Sequence, residues 1–92
     1  MANYFMFGKY STEAVKAISA TRTNKTIALI KKNGGELKAA YALLGDVDVV
    51  LIVELPDTEH AMRTSADLSK LLGISFSTRP AVSMEDFDKL MG

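Results

Sequence analysis

Residues 36–55, ELKAAYALLGDVDVVLIVEL, read as strand, tight turn and strand, and the rest of the chain is organised around them. Leu37, Ala39, Tyr41 and Leu43 alternate with Glu36, Lys38, Ala40 and Ala42, the period of two that gives a strand one buried face. That alternation puts Tyr41 on the face of Leu37 and Leu43. Gly45-Asp46-Val47-Asp48 interrupts it with turn chemistry: glycine accepts positive φ, and aspartate side chains bond nearby backbone. Val49-Val50-Leu51-Ile52-Val53 is apolar at every position, as in a strand covered on both faces.

Upstream, Tyr4-Phe5-Met6-Phe7 is a second wholly apolar run, closed by Gly8. Ser11 or Thr12 is placed to cap a helix running from about Thr12 to Lys32, ended by Gly34-Gly35. Its apolar stripe (Val15, Ile18, Leu29) lapses over Ser19–Thr26, around Arg22. The helix is therefore bent there, or a polar residue faces a hydrated pocket. Downstream, Pro56-Asp57-Thr58-Glu59 opens a second helix that buries Ala61, Ser65, Leu68 and Leu72 and stops at Gly73. Ile74, Phe76, Thr78 and Pro80 alternate with Ser75, Ser77 and Arg79 in a fourth strand, and Pro80 marks an edge or the strand's end. Ser83-Met84-Glu85-Asp86 then caps a short helix with Phe87, Leu90 and Met91 on one side.

The order is βαββαβ plus a terminal helix, the α+β arrangement called ferredoxin-like. It predicts a four-stranded antiparallel sheet in the order 4-1-3-2 with both main helices on one face. The two wholly apolar strands fall at the two central positions, as that topology requires.

Several of these residues occur together in a known family. Arg22, Gly34-Gly35, the Gly45-x-x-Asp48 turn, Glu54-Leu55-Pro56-Asp57, Gly73 and Arg79-Pro80-Ala81 give the chain a resemblance to the GYD domain family along nearly its whole length. The resemblance implies a small prokaryotic protein with the ferredoxin-like fold of the dimeric α/β-barrel type. Where the family has its tyrosine, this chain has Val47, so any role for a phenol falls to Tyr41 or Tyr10.

Ninety-two residues (1–92) make one domain, and 48% apolar residues suffice for a core. Eleven basic and eleven acidic residues cancel, which argues against a nucleic-acid partner. With no cysteine and one histidine, the chain offers no thiolate chemistry and no multi-histidine metal site; neither metal nor cofactor is expected. No apolar run approaches the roughly 20 residues of a membrane span, and the N-terminal segment lacks a signal-peptide pattern, so a soluble cytoplasmic protein is expected.

One sheet face is left without helices. Four strands about 18 Å long and about 4.8 Å apart present roughly 350 Å² in plan. Leaving that area wet forgoes on the order of 9 kcal/mol, an upper bound. A homodimer joined through the sheet face covers it; the terminal helix is the competing cover.

Three residues stand out as ligand-binding candidates: Arg22, Tyr41 and Asp48. Arg22 is either a guanidinium offered to an anion or a member of an ion pair. Asp48 is either a pocket carboxylate or a cap for local backbone N–H groups. Tyr41 is a core tyrosine with its hydroxyl at the rim, or a ligand contact. His60 reads as a solvent-facing helix residue, and Arg79 as a solvated edge charge. The function expected is small-ligand binding in a sheet–helix cleft, or a scaffold role. The alternative, which the resemblance implies through dimeric α/β-barrel relatives, is a cofactor-free enzyme of monooxygenase or isomerase type.

Overall fold

The computed structural model describes residues 1–92. In chain order the elements are β1 (Ala2–Tyr10), α1 (Thr12–Lys16), α2 (Ala20–Lys32), β2 (Glu36–Ala42), β3 (Val49–Leu55), α3 (Thr58–Leu72), β4 (Ile74–Ala81) and α4 (Met84–Met91). The strands form one antiparallel sheet in the order β2-β3-β1-β4, the ferredoxin-like topology that the sequence predicts. The apolar strands β1 and β3 take the centre, where both faces must exclude water.

Register decides which side chains meet the helices. Tyr4 lies opposite Val53 and Met6 opposite Leu51, and these four pack with Ile30 of α2 and Ala61, Leu68 and Leu72 of α3 into the core. Each helix is started by a side chain accepting from a backbone N–H of the first turn: Ser11 for α1, Ser19 for α2, Asp57 for α3 and Ser83 for α4. Gly73, at φ 67°, ends α3 in the left-handed conformation that suits glycine.

The single helix expected over Thr12–Lys32 is two helices. Ala17–Ser19 separate them, and Ser19, in extended backbone, accepts from Arg22 N to start α2 afresh. The lapse in the apolar stripe thus marks a break, because a serine that caps the next turn competes with continuation of the first helix.

A second difference lies in β2. The β2–β3 register slips between Leu37 and Ala39, a bulge at Lys38. Leu37 opposes Val53 on the helix side, but beyond the bulge Ala40 and Ala42 oppose Leu51 and Val49 on that side, whereas Tyr41 opposes Val50 on the other. One inserted residue reverses side-chain parity, so Tyr41 does not share the face of Leu37.

The helix-free face carries Phe5, Phe7, Val50, Ile52, Ala39 and Tyr41. Phe5 and Phe7 lie 6.3 Å apart between ring centroids, and the Arg79 guanidinium sits 5.4 Å from the Phe7 centroid. The terminal helix does not cover this face. No residue of α4 is buried, and its apolar side chains stand in solvent. The radius of gyration, 13.6 Å, exceeds the roughly 12 Å of a compact chain of this length, as expected when one helix lies off the body. No helix is long and apolar enough to cross a membrane.

Candidate functional site

Between α2 and the helix side of the sheet lies a cavity of about 320 Å³. Two features of the sequence create it. First, Ser19, Arg22, Thr23 and Thr26 fall at spacings of three and four residues, so α2 turns a polar stripe toward the sheet where a dry core would need apolar side chains. Second, the bulge in β2 puts Ala40 and Ala42 opposite that stripe, where an unbroken register would put Ala39 and Tyr41. Small side chains facing polar ones leave space. Leu37, Val49, Leu51, Leu72, Ile74 and Phe76 form much of the remaining wall, with Tyr10 and Ile18 at the α1 end.

Arg22 is the cation of the cavity. Its Nη2 donates to the Leu72 carbonyl and, at 3.5 Å, to that of Leu71. These carbonyls end α3, where four C=O groups lack intrahelical partners and the helix dipole is negative. The guanidinium therefore caps α3 from a neighbouring helix. Neither reading of Arg22 from sequence anticipates this partner: no carboxylate lies within 4.0 Å of it. Nε and Nη1, with three N–H groups between them, have no protein acceptor. Thr26 Oγ1 donates to the Arg22 carbonyl at 2.9 Å and Thr23 Oγ1 to the Ser19 carbonyl at 3.4 Å, so both hydroxyl protons are used within α2.

Asp48 is engaged elsewhere. Its Oδ2 accepts from Tyr10 N at 2.9 Å, its own N–H donates to the Gly8 carbonyl at 2.8 Å, and its carbonyl accepts from Leu43 N at 2.9 Å. The aspartate caps backbone, as one sequence reading holds, but the backbone belongs to β1, 38 residues away. It ties the hairpin turn to the strand end that carries Tyr10, and it is not among the residues lining the cavity. Tyr41 borders the cavity from the edge strand while its register partner, Val50, lies on the helix-free face. The structure thus brings Arg22 and Tyr41 to one cavity and sets Asp48 behind Tyr10. Sequence reasoning named Tyr10 only as a substitute phenol and missed Thr23 and Thr26; the spacing from Ser19 to Thr26 was the available signal.

Outside the cavity, His60 is exposed on α3, as expected. Its backbone N–H donates to Asp57 Oδ1 at 2.9 Å, and its Nδ1 lies 2.6 Å from the same oxygen. These two bonds, the backbone one foremost, hold the Asp57 carboxyl below its ordinary value. No three His, Cys, Asp or Glu side chains converge as metal ligands.

Comparison with known proteins agrees with this architecture. A search of curated proteins returned no match. Among solved structures, the leucine response regulatory protein of Mycobacterium tuberculosis is similar, with a TM-score of 0.60, 8% identity and 90% of the present chain covered. A crystal structure of a glutamate-to-alanine mutant gives a TM-score of 0.60 at 10% identity over the same share. At such identity the likeness is one of fold, and the chain spans about half, 51%, of the length of each of these proteins. The sequence pattern of the GYD domain matches residues 4–91, nearly the whole chain. The chain belongs to the GYD domain family.

Proposed function

We propose that this protein is a small-molecule binding domain whose cavity between α2 and the sheet takes a ligand with an apolar body and an anionic, acceptor-bearing head. The observation that carries the reading is Arg22: one nitrogen is anchored on the end of α3 while Nε and Nη1 remain free in a largely apolar cavity. A guanidinium held in place by one bond is pre-organised to give its other donors to a carboxylate, and such bonds are among the stronger ones. Tyr10 supplies a hydroxyl at the α1 end, steadied by Asp48, and Tyr41 one at the opposite rim. At roughly 30 Å³ per water the cavity holds about ten waters, the scale of a ligand of about ten non-hydrogen atoms. The lining contains no carboxylate or imidazole, so it suits binding better than proton transfer.

The same reading makes the protein a homodimer joined through the helix-free sheet face. That face combines the half-buried Phe5, Phe7 and Ile52 with the buried Val50, and no residue of α4 is buried against it. Ile52→Asp is expected to give a folded monomer in sedimentation velocity. The ligand class is tested by titrating octanoate and hydrocinnamate against their neutral primary amides in calorimetry. The acids are expected to bind at least about tenfold more tightly than the amides, and Arg22→Met to remove the difference. Equal binding of acid and amide, or unchanged acid binding by Arg22→Met, overturns the assignment.

A further inference from the structure

The terminal helix poses a problem of its own. Residues 82–91 carry five large apolar side chains, from 43% exposed at Phe87 to 77% at Leu90, four of them on α4, which buries no residue in its protomer. At 3.6 residues per turn, Met84, Phe87, Leu90 and Met91 form one stripe. Asp86 flanks it on the Leu90 side and Asp88 on the Met84 side, while the Glu85–Lys89 pair, 3.3 Å apart, occupies the opposite face. An apolar stripe between two unpaired carboxylates calls for an apolar surface with free cations beside it.

The helix-free face of the same chain has that character on one half only. Over β2 and β3, Lys38 already pairs with Glu36 at 3.8 Å and Glu54 at 3.7 Å. Over β1 and β4 the charged residues on this face are Lys9 and Arg79, and neither has a carboxylate within 4.0 Å. Phe5 and Phe7 lie between them.

Area points the same way. Strands of seven to nine residues, at about 3.3 Å per residue and about 4.8 Å spacing, give a face of roughly 480 Å² in plan. A stable interface buries about 800 Å² on each partner. Five exposed side chains at roughly 100 Å² each supply the difference. We infer that α4 is an intermolecular clasp: it packs its Met84–Phe87–Leu90–Met91 stripe on the β1–β4 half of the helix-free face of a second copy, with Asp88 meeting Arg79 and Asp86 meeting Lys9. The inference rests on self-association through that face and names the element that completes it.

The test uses the full chain in sedimentation velocity. Because no residue of α4 is buried in the core, Phe87→Asp and Leu90→Asp variants keep the wild-type far-UV circular dichroism spectrum, while their melt falls only as far as self-association is lost. Each is expected to raise the dimer Kd by at least about a hundredfold, and Arg79→Glu by about tenfold. Adding Asp88→Arg to Arg79→Glu is expected to recover most of that loss. Dimerisation of the α4 variants at wild-type strength, alongside a monomeric Ile52→Asp, overturns the clasp and leaves the sheet-face dimer standing. A wild-type protein that stays monomeric at high micromolar concentration overturns both. Since the chain has no cysteine, Ser77→Cys and Asp88→Cys can be placed on separately tagged chains and oxidised. A disulfide between unlike chains supports the clasp. One formed within a single chain carrying both substitutions, with none between chains, shows α4 folding back on its own sheet and overturns it.

Discussion

Arg22→Met separates what the guanidinium does for the fold from what it does for a ligand. Methionine keeps an unbranched apolar stem of similar reach, so packing along α2 is largely retained. What is lost is the cap on α3: the bond to the Leu72 carbonyl, the weaker one at 3.5 Å to Leu71, and a positive charge at the negative end of a 15-residue helix. A hydrogen bond to a charged group contributes about 1.5–3 kcal/mol, and a helix-end charge about 0.3–1 kcal/mol. The site is part-exposed, so water replaces some of each, and a net loss of about 1–2 kcal/mol is expected. For a domain of this size that lowers Tm by roughly 5–12 °C. Arg22→Lys keeps the charge without the fork and is expected to lose about half as much. The assay is thermal unfolding by circular dichroism at fixed protein concentration, since any self-association couples to Tm. Salt provides a control, because the charge–dipole part is screened while the hydrogen bonds are not. A Tm within 1 °C of wild type for Arg22→Met means that water serves the α3 carbonyls equally well, and the anchoring argument fails.

Further expectations follow from individual contacts. Ala40→Leu fills part of the cavity and is expected to raise stability by about 0.5–2 kcal/mol in urea unfolding while weakening carboxylate binding; unchanged binding places the ligand elsewhere. A Cβ on Gly35 would lie 2.5 Å from the Glu54 carbonyl oxygen, which is backbone and cannot swing aside, so Gly35→Ala is expected to lose about 1–3 kcal/mol or more by the same measurement. Asp48→Asn retains an acceptor for Tyr10 N and is expected to stay within about 0.5 kcal/mol of wild type, whereas Asp48→Ala loses about 1 kcal/mol; equal losses refute the single-acceptor role. The native Asp57 pKa lies below its ordinary value of 3.8, so its contribution to stability is full above that pH and disappears as pH falls through the lower native value. The wild-type advantage over Asp57→Ala is expected to be flat from neutral pH down toward 4 and to shrink below it, read by urea unfolding across the acid range.

The elements and their order were legible because local rules decide them. Two uniformly apolar runs name the central strands, Asp57 and Ser83 announce their helices, and Gly73 stops α3. The site was legible only in part. Arg22 stood out because a cation interrupts an apolar stripe, but its partner is a carbonyl at the end of another helix, 50 residues on. The bulge at Lys38 has no local signature, since neither glycine nor proline marks it, and it is defined by the pairing with β3. From that one slip follow both the outward turn of Tyr41 and the inward turn of Ala40 and Ala42, and so the cavity itself. Asp48 is a similar case: its residue type fits a turn, while its acceptor role depends on where β1 ends.

The interruption between α1 and α2 has a kinetic consequence. α1 is five residues long, buries only Ala14, and joins α2 through Ala17–Ser19, where the helical hydrogen-bond ladder lapses. Tyr10, Ala14 and Ile18 belong to this end of the cavity, so its weakest wall is also its shortest helix. Opening that wall disturbs one buried alanine and leaves the packing of Ile30, Leu68 and Met6 intact. That excursion is far shallower than global unfolding, and backbone amides of residues 15–19 should exchange with deuterium long before those of β1 or β3.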